Sequence, residues 1–210
     1  GKVILAGNNT HTGNITINRG TLEVATVNNA AAAGPLGQST AGVTNIVLNG
    51  GTFRANLGAN GSTDHGFTVN APSTIEVVAN TLTLNTTLIG VAGELYQLVA
   101  LNAGILKKTG VGTLELKDLT VNANNANLSI EVAEGTLLLN KTTTSAISAI
   151  DLAGAAGLII NAGATARLGA SSDSRLSRSS QSIPSCPMTR EISRPMKNFP
   201  VPSDDAAPWL

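Results

Sequence analysis

Aromatic residues make up 2% of the 210 residues, so there are almost no rings to stack on sugars or bases. A sugar-binding groove of the usual aromatic kind is excluded on that ground. Charged residues are also few, at 12%, and they balance to a formal net charge of +0 with no Lys/Arg block. Nucleic acid and anionic lipid surfaces therefore find no electrostatic footprint here. The single cysteine, Cys186, has no partner for an internal disulfide, which suits a reducing cytosol or export before folding. No apolar run approaches the roughly 18 residues that cross a bilayer, and no charged-then-apolar leader opens the chain. Because Gly1 falls inside a repeat, the chain is expected to be a fragment.

What is present is a rhythm. Short β-branched or apolar runs end in asparagine at Ile15–Asn18, Ile46–Asn49, Phe67–Asn70, Leu82–Asn85, Leu119–Asn122, Leu137–Asn140 and Leu158–Asn161. Alternation of inward aliphatic residues with outward threonine fits a strand with one buried face, and asparagine tolerates the left-handed backbone of a sharp corner. A second element follows several of these runs, at Gly20–Val24, Gly51–Ala55, Gly112–Leu116, Gly135–Leu139 and Gly163–Leu168. Glycine makes the turn and the next residues resume the alternation. Each strand-turn-strand unit is too small to bury its own apolar face, so units must stack, and 42% hydrophobic content suffices for one continuous core.

The expected fold is all-β, a right-handed parallel β-helix (β-solenoid) over residues 1–170. Its inward positions Ile17, Leu48, Val69, Leu84, Leu114, Val121 and Ile160 should be buried. Segments Ala30–Gly42 and Gly58–Gly66 are expected to protrude as loops. Composition changes near Gly169: every glycine lies at or before it, and six of eight prolines lie after it. Residues 171–210, rich in Ser, Arg and Pro, have no strand alternation and are expected to be a disordered, non-repetitive tail. Out-of-frame translation of further repeats is the other origin that so abrupt a change admits.

The text GNNTHTGNITINRGTLEVA at Gly7 to Ala25 resembles the autotransporter-associated β-strand repeat, whose usual form is Gly-x-Asn-Thr-Tyr-Thr-Gly-Gly-Thr-Thr-Ile-Asn-x-Gly-Thr-Leu. GILKKTGVGTLEL, Gly104 to Leu116, resembles the Lys-Thr-Gly lead-in of another copy, and Asn161–Thr165 resembles a corner. His11 stands where the family commonly has an aromatic, and Ala55 to Leu101 is degenerate. The resemblance implies a passenger-region β-helix, carried to the bacterial outer membrane surface or secreted by a separate C-terminal β-barrel. It implies a structural or adhesive function, with adjacent β-helix coils of the full-length protein as partners and a surface ligand the sequence does not name.

Chemistry finds little support. The two histidines, His11 and His65, are far apart in sequence, and Asp64–His65 is expected to be a solvated loop pair rather than part of a triad. No Cys/His cluster has ligand spacing and no Gly-Gly-x-Gly-x-Asp repeat would bind calcium, so no metal is expected. Neither is a cofactor. Asn8, Asn9 and Asn18 are read as corner residues. The alternative function is a carbohydrate-active β-helix enzyme, a lyase or glycosidase, which needs converging carboxylates; Glu23, Glu76, Glu115 and Glu131 are instead spread along the chain. An ice-binding face is disfavoured by the unequal spacing of Thr16, Thr68, Thr83 and Thr120, and the Asn-x-Ser/Thr sequons follow from composition. No catalytic, cofactor-binding or metal residue is therefore assigned.

Overall fold

The computed structural model describes residues 1–42, 44–86, 98–99, 104–118, 128–141, 148–150, 157–169 and 175–176. They form eighteen strands. In the first half these are β1 (Lys2–Leu5), β2 (Ile15–Ile17), β3 (Thr21–Val24), β4 (Ile46–Asn49), β5 (Thr52–Ala55), β6 (Gly61–Thr63), β7 (Phe67–Ala71), β8 (Ser73–Val77) and β9 (Thr81–Thr86). In the second they are β10 (Leu98–Val99), β11 (Gly104–Thr109), β12 (Thr113–Asp118), β13 (Leu128–Val132), β14 (Thr136–Lys141), β15 (Ser148–Ile150), β16 (Leu158–Ile160), β17 (Thr165–Leu168) and β18 (Arg175–Leu176). No helix occurs among the described residues.

Every ladder between these strands is parallel. The first sheet has the order β1-β3-β5-β8-β11-β13-β16, the second β10-β7-β4-β2, and the third β17-β14-β12-β9-β6. A further two-stranded sheet joins β15 to β18. The chain thus visits the main sheets repeatedly, adding each new strand to the edge of an earlier one.

Register stacks like upon like. In the first sheet one inward row runs Val3, Leu22, Phe53, Ile75, Lys108, Val132, Ile160. In the third sheet Leu82, Leu114 and Leu137 form one row and Leu84, Leu116 and Leu139 the next. In the second, Ile17, Leu48 and Val69 align. Apart from Val3, Lys108 and Ile160, these positions join one aliphatic core, in which Phe53 and Phe67 meet edge to face with ring centroids 5.2 Å apart. Burying each leucine contributes about 2 kcal/mol, so the stack is held by apolar burial repeated strand after strand.

Of the inward positions expected from the sequence, Ile17, Leu48, Val69, Leu84 and Leu114 are buried. Val121 lies outside the described residues. Ile160 is a correction: it faces inward in register with Val132, yet is 49% exposed because it ends its row. Val3 ends the same row at the other side and is 58% exposed.

Two further corrections concern the runs and their corners. The Asn-terminated runs do not all belong to one kind of strand: those at residues 15, 46 and 67 enter the second sheet, those at 82 and 137 the third, and that at 158 the first. Nor do the asparagines of the described runs adopt the left-handed backbone. After Asn18, Asn49 and Asn161 that conformation falls one or two residues later, on Gly20 (φ 74°), Gly50 (φ 102°) and Gly163 (φ 81°). The reason is steric as well as torsional, since a Cβ on Gly20 would sit 2.4 Å from the Gly1 carbonyl oxygen, which accepts from Thr21 N–H where β1 meets β3. The run-ending asparagines instead bond across strands: Asn49 Nδ2 donates to Asn18 Oδ1 at 2.9 Å, and Asn161 Nδ2 to Glu131 Oε1 at 2.9 Å.

The two segments expected to protrude do not. Gly61–Thr63 is strand β6, paired with β9. The connection from β3 to β4 runs alongside β6, with Thr63 Oγ1 donating to the Asn28 carbonyl at 2.7 Å and Leu36 only 2% exposed. Residues 171–210, apart from β18, lie outside the described residues, as does the expected tail.

Candidate functional site

Polar side chains gather in three places. The first is the β3–β4 connection. Asn28 is its hub: Oδ1 accepts the Leu36 N–H at 2.8 Å, while Nδ2 donates to the carbonyls of Ala32 and Gly37, both at 2.8 Å. These backbone partners fix which way the amide points. His65, which follows β6 after Asp64, packs under this connection and is 1% exposed. Its Nε2 lies 3.5 Å from Asn28 Nδ2 and its Nδ1 3.4 Å from Ser39 Oγ. Ser39 Oγ also accepts from Asn45 Nδ2 at 2.9 Å. Asp64 Oδ1 accepts the Ala30 N–H at 2.6 Å.

The solvated Asp64–His65 pair is thereby corrected. Burial pushes the His65 imidazole below its ordinary value, Asp64 opposes this, and His11 reinforces it. The two histidines, far apart in sequence, bracket one connection: Gln38 N donates to the His11 carbonyl at 2.7 Å, and the His11 ring fills the space beside Gly37. The arrangement is not that of an activated nucleophile. Ser39, whose hydroxyl lies beside Nδ1, is 4% exposed and so closed to a substrate, and Nε2 faces an amide nitrogen whose two hydrogens already go to the Ala32 and Gly37 carbonyls.

The second place is Lys108, which occupies the inward row of the first sheet and is fully buried. Its side chain leaves the core at the next corner, where Nζ donates to the carbonyls of Thr109 (3.0 Å), Gly110 (2.5 Å), Gly112 (2.7 Å) and Glu134 (3.0 Å). The ammonium so joins the corner after β11 to the corner after β13. Gly135, at φ 65°, leaves room for it: a Cβ there would stand 2.7 Å from Nζ. Burial lowers the Lys108 ammonium to about 8, with Glu134 opposing.

The third is the outer face of the first sheet. Lys2 Nζ meets Glu23 Oε2 at 3.1 Å, Arg54 Nε meets the same oxygen at 3.0 Å, and Arg54 Nη1 reaches Glu76. Lys107 pairs with Glu131 at 3.4 Å. On the third sheet Glu115 accepts from Thr83 and Asn140, each at 2.7 Å. The carboxylates named from the sequence are therefore each held by a cation or a donor. Glu23 is held below the ordinary carboxylate range, first by the Lys2 hydrogen bond, the opposite of what a general acid needs. Among the described residues no group of three or more His, Cys, Asp or Glu is placed to hold a metal ion.

Threonine is the feature whose order the sequence concealed. Thr21, Thr52 and Thr74 align in the first sheet, and Thr81, Thr113, Thr136 and Thr165 in the third. The spacing signal lay in the Gly-Thr-Leu text rather than in the Asn-terminated runs. Thr68, expected to face outward, is buried. A flat double rank is not formed, because the outward neighbours two residues on from the third-sheet row are Thr83, Glu115, Leu138 and Arg167.

Comparison with known proteins adds one relative. Over 69 residues, a third of this chain, the sequence is 45% identical to an adhesin autotransporter, BmaC, of Brucella suis biovar 1 (strain 1330). The chain is related in part to an autotransporter adhesin. It spans about 2% of that relative's length. No family model matches the chain, and no solved structure matches it.

Proposed function

We propose that this chain is a section of a right-handed parallel β-helix in the passenger region of an exported autotransporter-type protein, serving as stalk and presenting surface at the bacterial outer membrane or beyond. The observation that carries the reading is the stretch shared with an autotransporter adhesin. The all-parallel sheets and the repeated return of the chain to each of them support it. So do the two ends of the inward row, where Val3 and Ile160 offer apolar surface to which adjacent coils of a longer protein would add.

The neutralised carboxylates favour presentation over catalysis, and the alternative of a polysaccharide-cleaving enzyme gains no observation of its own. The test is an in-frame deletion of this section from the full-length protein displayed on bacteria. Loss of surface-dependent adhesion with display retained supports an adhesive role. Loss of accessibility of a distal epitope, with binding otherwise unchanged, supports a stalk. Cleavage of a polysaccharide panel by the purified chain would overturn both.

A further inference from the structure

We infer that His65 is an acid-sensitive latch: a second proton on its imidazole would set Nε2–H against the Asn28 amide and release the connection over residues 28–42 from β6.

At Asn28 the geometry offers an imidazolium no acceptor. Neutral histidine offers one donor and one acceptor; Nδ1 lies 3.4 Å from Ser39 Oγ, a hydroxyl that can take either role, and Nε2 lies 3.5 Å from Asn28 Nδ2, whose two hydrogens are directed at the Ala32 and Gly37 carbonyls. The imidazolium has two donors and no acceptor, so Nε2–H would meet an amide nitrogen that cannot accept it. The Asn28 amide cannot turn its oxygen inward without abandoning Leu36 N–H, Ala32 O and Gly37 O, the bonds that shape the connection. Asn28 is thus at once the residue that meets the ring and the residue that holds the segment.

Burial adds to the conflict, because His65 is 1% exposed and a charge there lacks water. The titratable groups facing the ring are Asp64 beside it in the chain and His11 from the β1–β2 connection. Asp64 favours the charged ring but is already engaged by Ala30 N–H; His11, when charged, repels it. Because burial lowers the folded imidazole, the unfolded or opened segment binds more protons as pH falls through about 6.5. The latch is therefore closed at neutral pH and weakens in acid. Opening would expose Leu36 and Ser39, now buried, and change what this side of the molecule presents.

Hydrogen exchange of the 210-residue chain, corrected for intrinsic rates, tests this between about pH 7.5 and about pH 5. The amides of Ala31 and Leu36 should lose protection about ten-fold or more in acid, while Leu114 in the third sheet holds its protection. The loss should vanish in His65→Gln and persist in His11→Gln. No acid loss in the parent, a loss that survives in His65→Gln, or one abolished by His11→Gln would each overturn the inference. Should His65→Gln fail to fold, imidazole titration of the parent decides. Protonation of His65 below the ordinary histidine value, coinciding with loop opening, supports the latch; protonation at or above that value overturns it.

Discussion

The same Gly-Thr-Leu text is used in two different places. At Gly20–Leu22 it turns the chain from the second sheet into the first, whereas at Gly112–Leu114 and Gly135–Leu137 it turns the chain from the first sheet into the third. The local outcome is alike in both: a glycine-bearing corner, then a threonine in register with other threonines, then a leucine in the core. What differs is the neighbourhood. In the N-terminal half the third sheet begins only at β6, and the β3–β4 connection runs alongside that strand. Motif text therefore specifies a corner and a strand, while the sheet it joins is set by connection length and by the strand already waiting at the edge.

The largest effect that would break this comparison is a charge at the matched leucines. Leu114 is 0% exposed between Leu82 and Leu137, so Leu114→Asp should cost several kcal/mol, about 4 or more, and unfold the chain or leave it marginal in urea titrations. Leu22→Asp, beside the half-exposed Val3, should cost less. Equal losses would mean that the middle of the core and the strand next to its edge are equivalent after all.

Next come the matched corners. Gly135→Ala places a Cβ 2.4 Å from Gly110 O and 2.7 Å from Lys108 Nζ at positive φ, and should cost about 2–3 kcal/mol by the same titration. At Gly20 the Cβ meets only Gly1, which is exposed, so Gly20→Ala should cost about 1 kcal/mol.

Lys108→Met removes the ammonium that joins two corners and should cost about 1–3 kcal/mol near neutral pH, because buried carbonyls lose their donor. Its pH dependence sharpens the point. The folded chain releases the Lys108 proton at about 8 and the unfolded chain near 10.5. Between these values the unfolded state binds more protons, so this group makes parental stability rise with pH. Thermal melts from pH 8 to 10 should show the gap between parent and variant widening.

The smallest effect belongs to the outer face. Glu76→Gln unlinks Arg54 from one of two carboxylates at a half-exposed site, and should change stability by less than about 1 kcal/mol, less still at high salt. A larger loss would make the charge ladder, rather than the aliphatic rows, the organiser of the first sheet.

The strands visible in the sequence were those whose alternation is clean, such as Thr21-Leu22-Glu23-Val24, because period-two patterning marks a sheet with one buried face. Gly61–Thr63 carries the same fold with small or polar residues, and Ser73 takes an inward position at the start of β8, so the stretch from Ala55 to Leu101 read as degenerate although β6 to β9 continue the ladders. Lys108 was hidden because GILKKT places a lysine inward and Ile105, 44% exposed, outward. A charge on the core phase looks like a break in the pattern unless a nearby corner can accept its head. His65 was misjudged for a related reason: a glycine- and asparagine-rich surrounding predicts a loop, but not that another loop will cover it.

Parallel register carries a consequence for the order of assembly. Each first-sheet strand pairs with the one laid down before it, and partners lie close in the chain, 19 residues apart at Lys2 and Thr21 and 33 at Ser73 and Leu106. The loop closed at each step is thus of similar, modest length, and its entropic cost does not grow as the molecule lengthens. A chain delivered one end first would find every new strand a finished edge within reach, so folding can advance as a front behind the moving terminus and need not wait for the whole sequence.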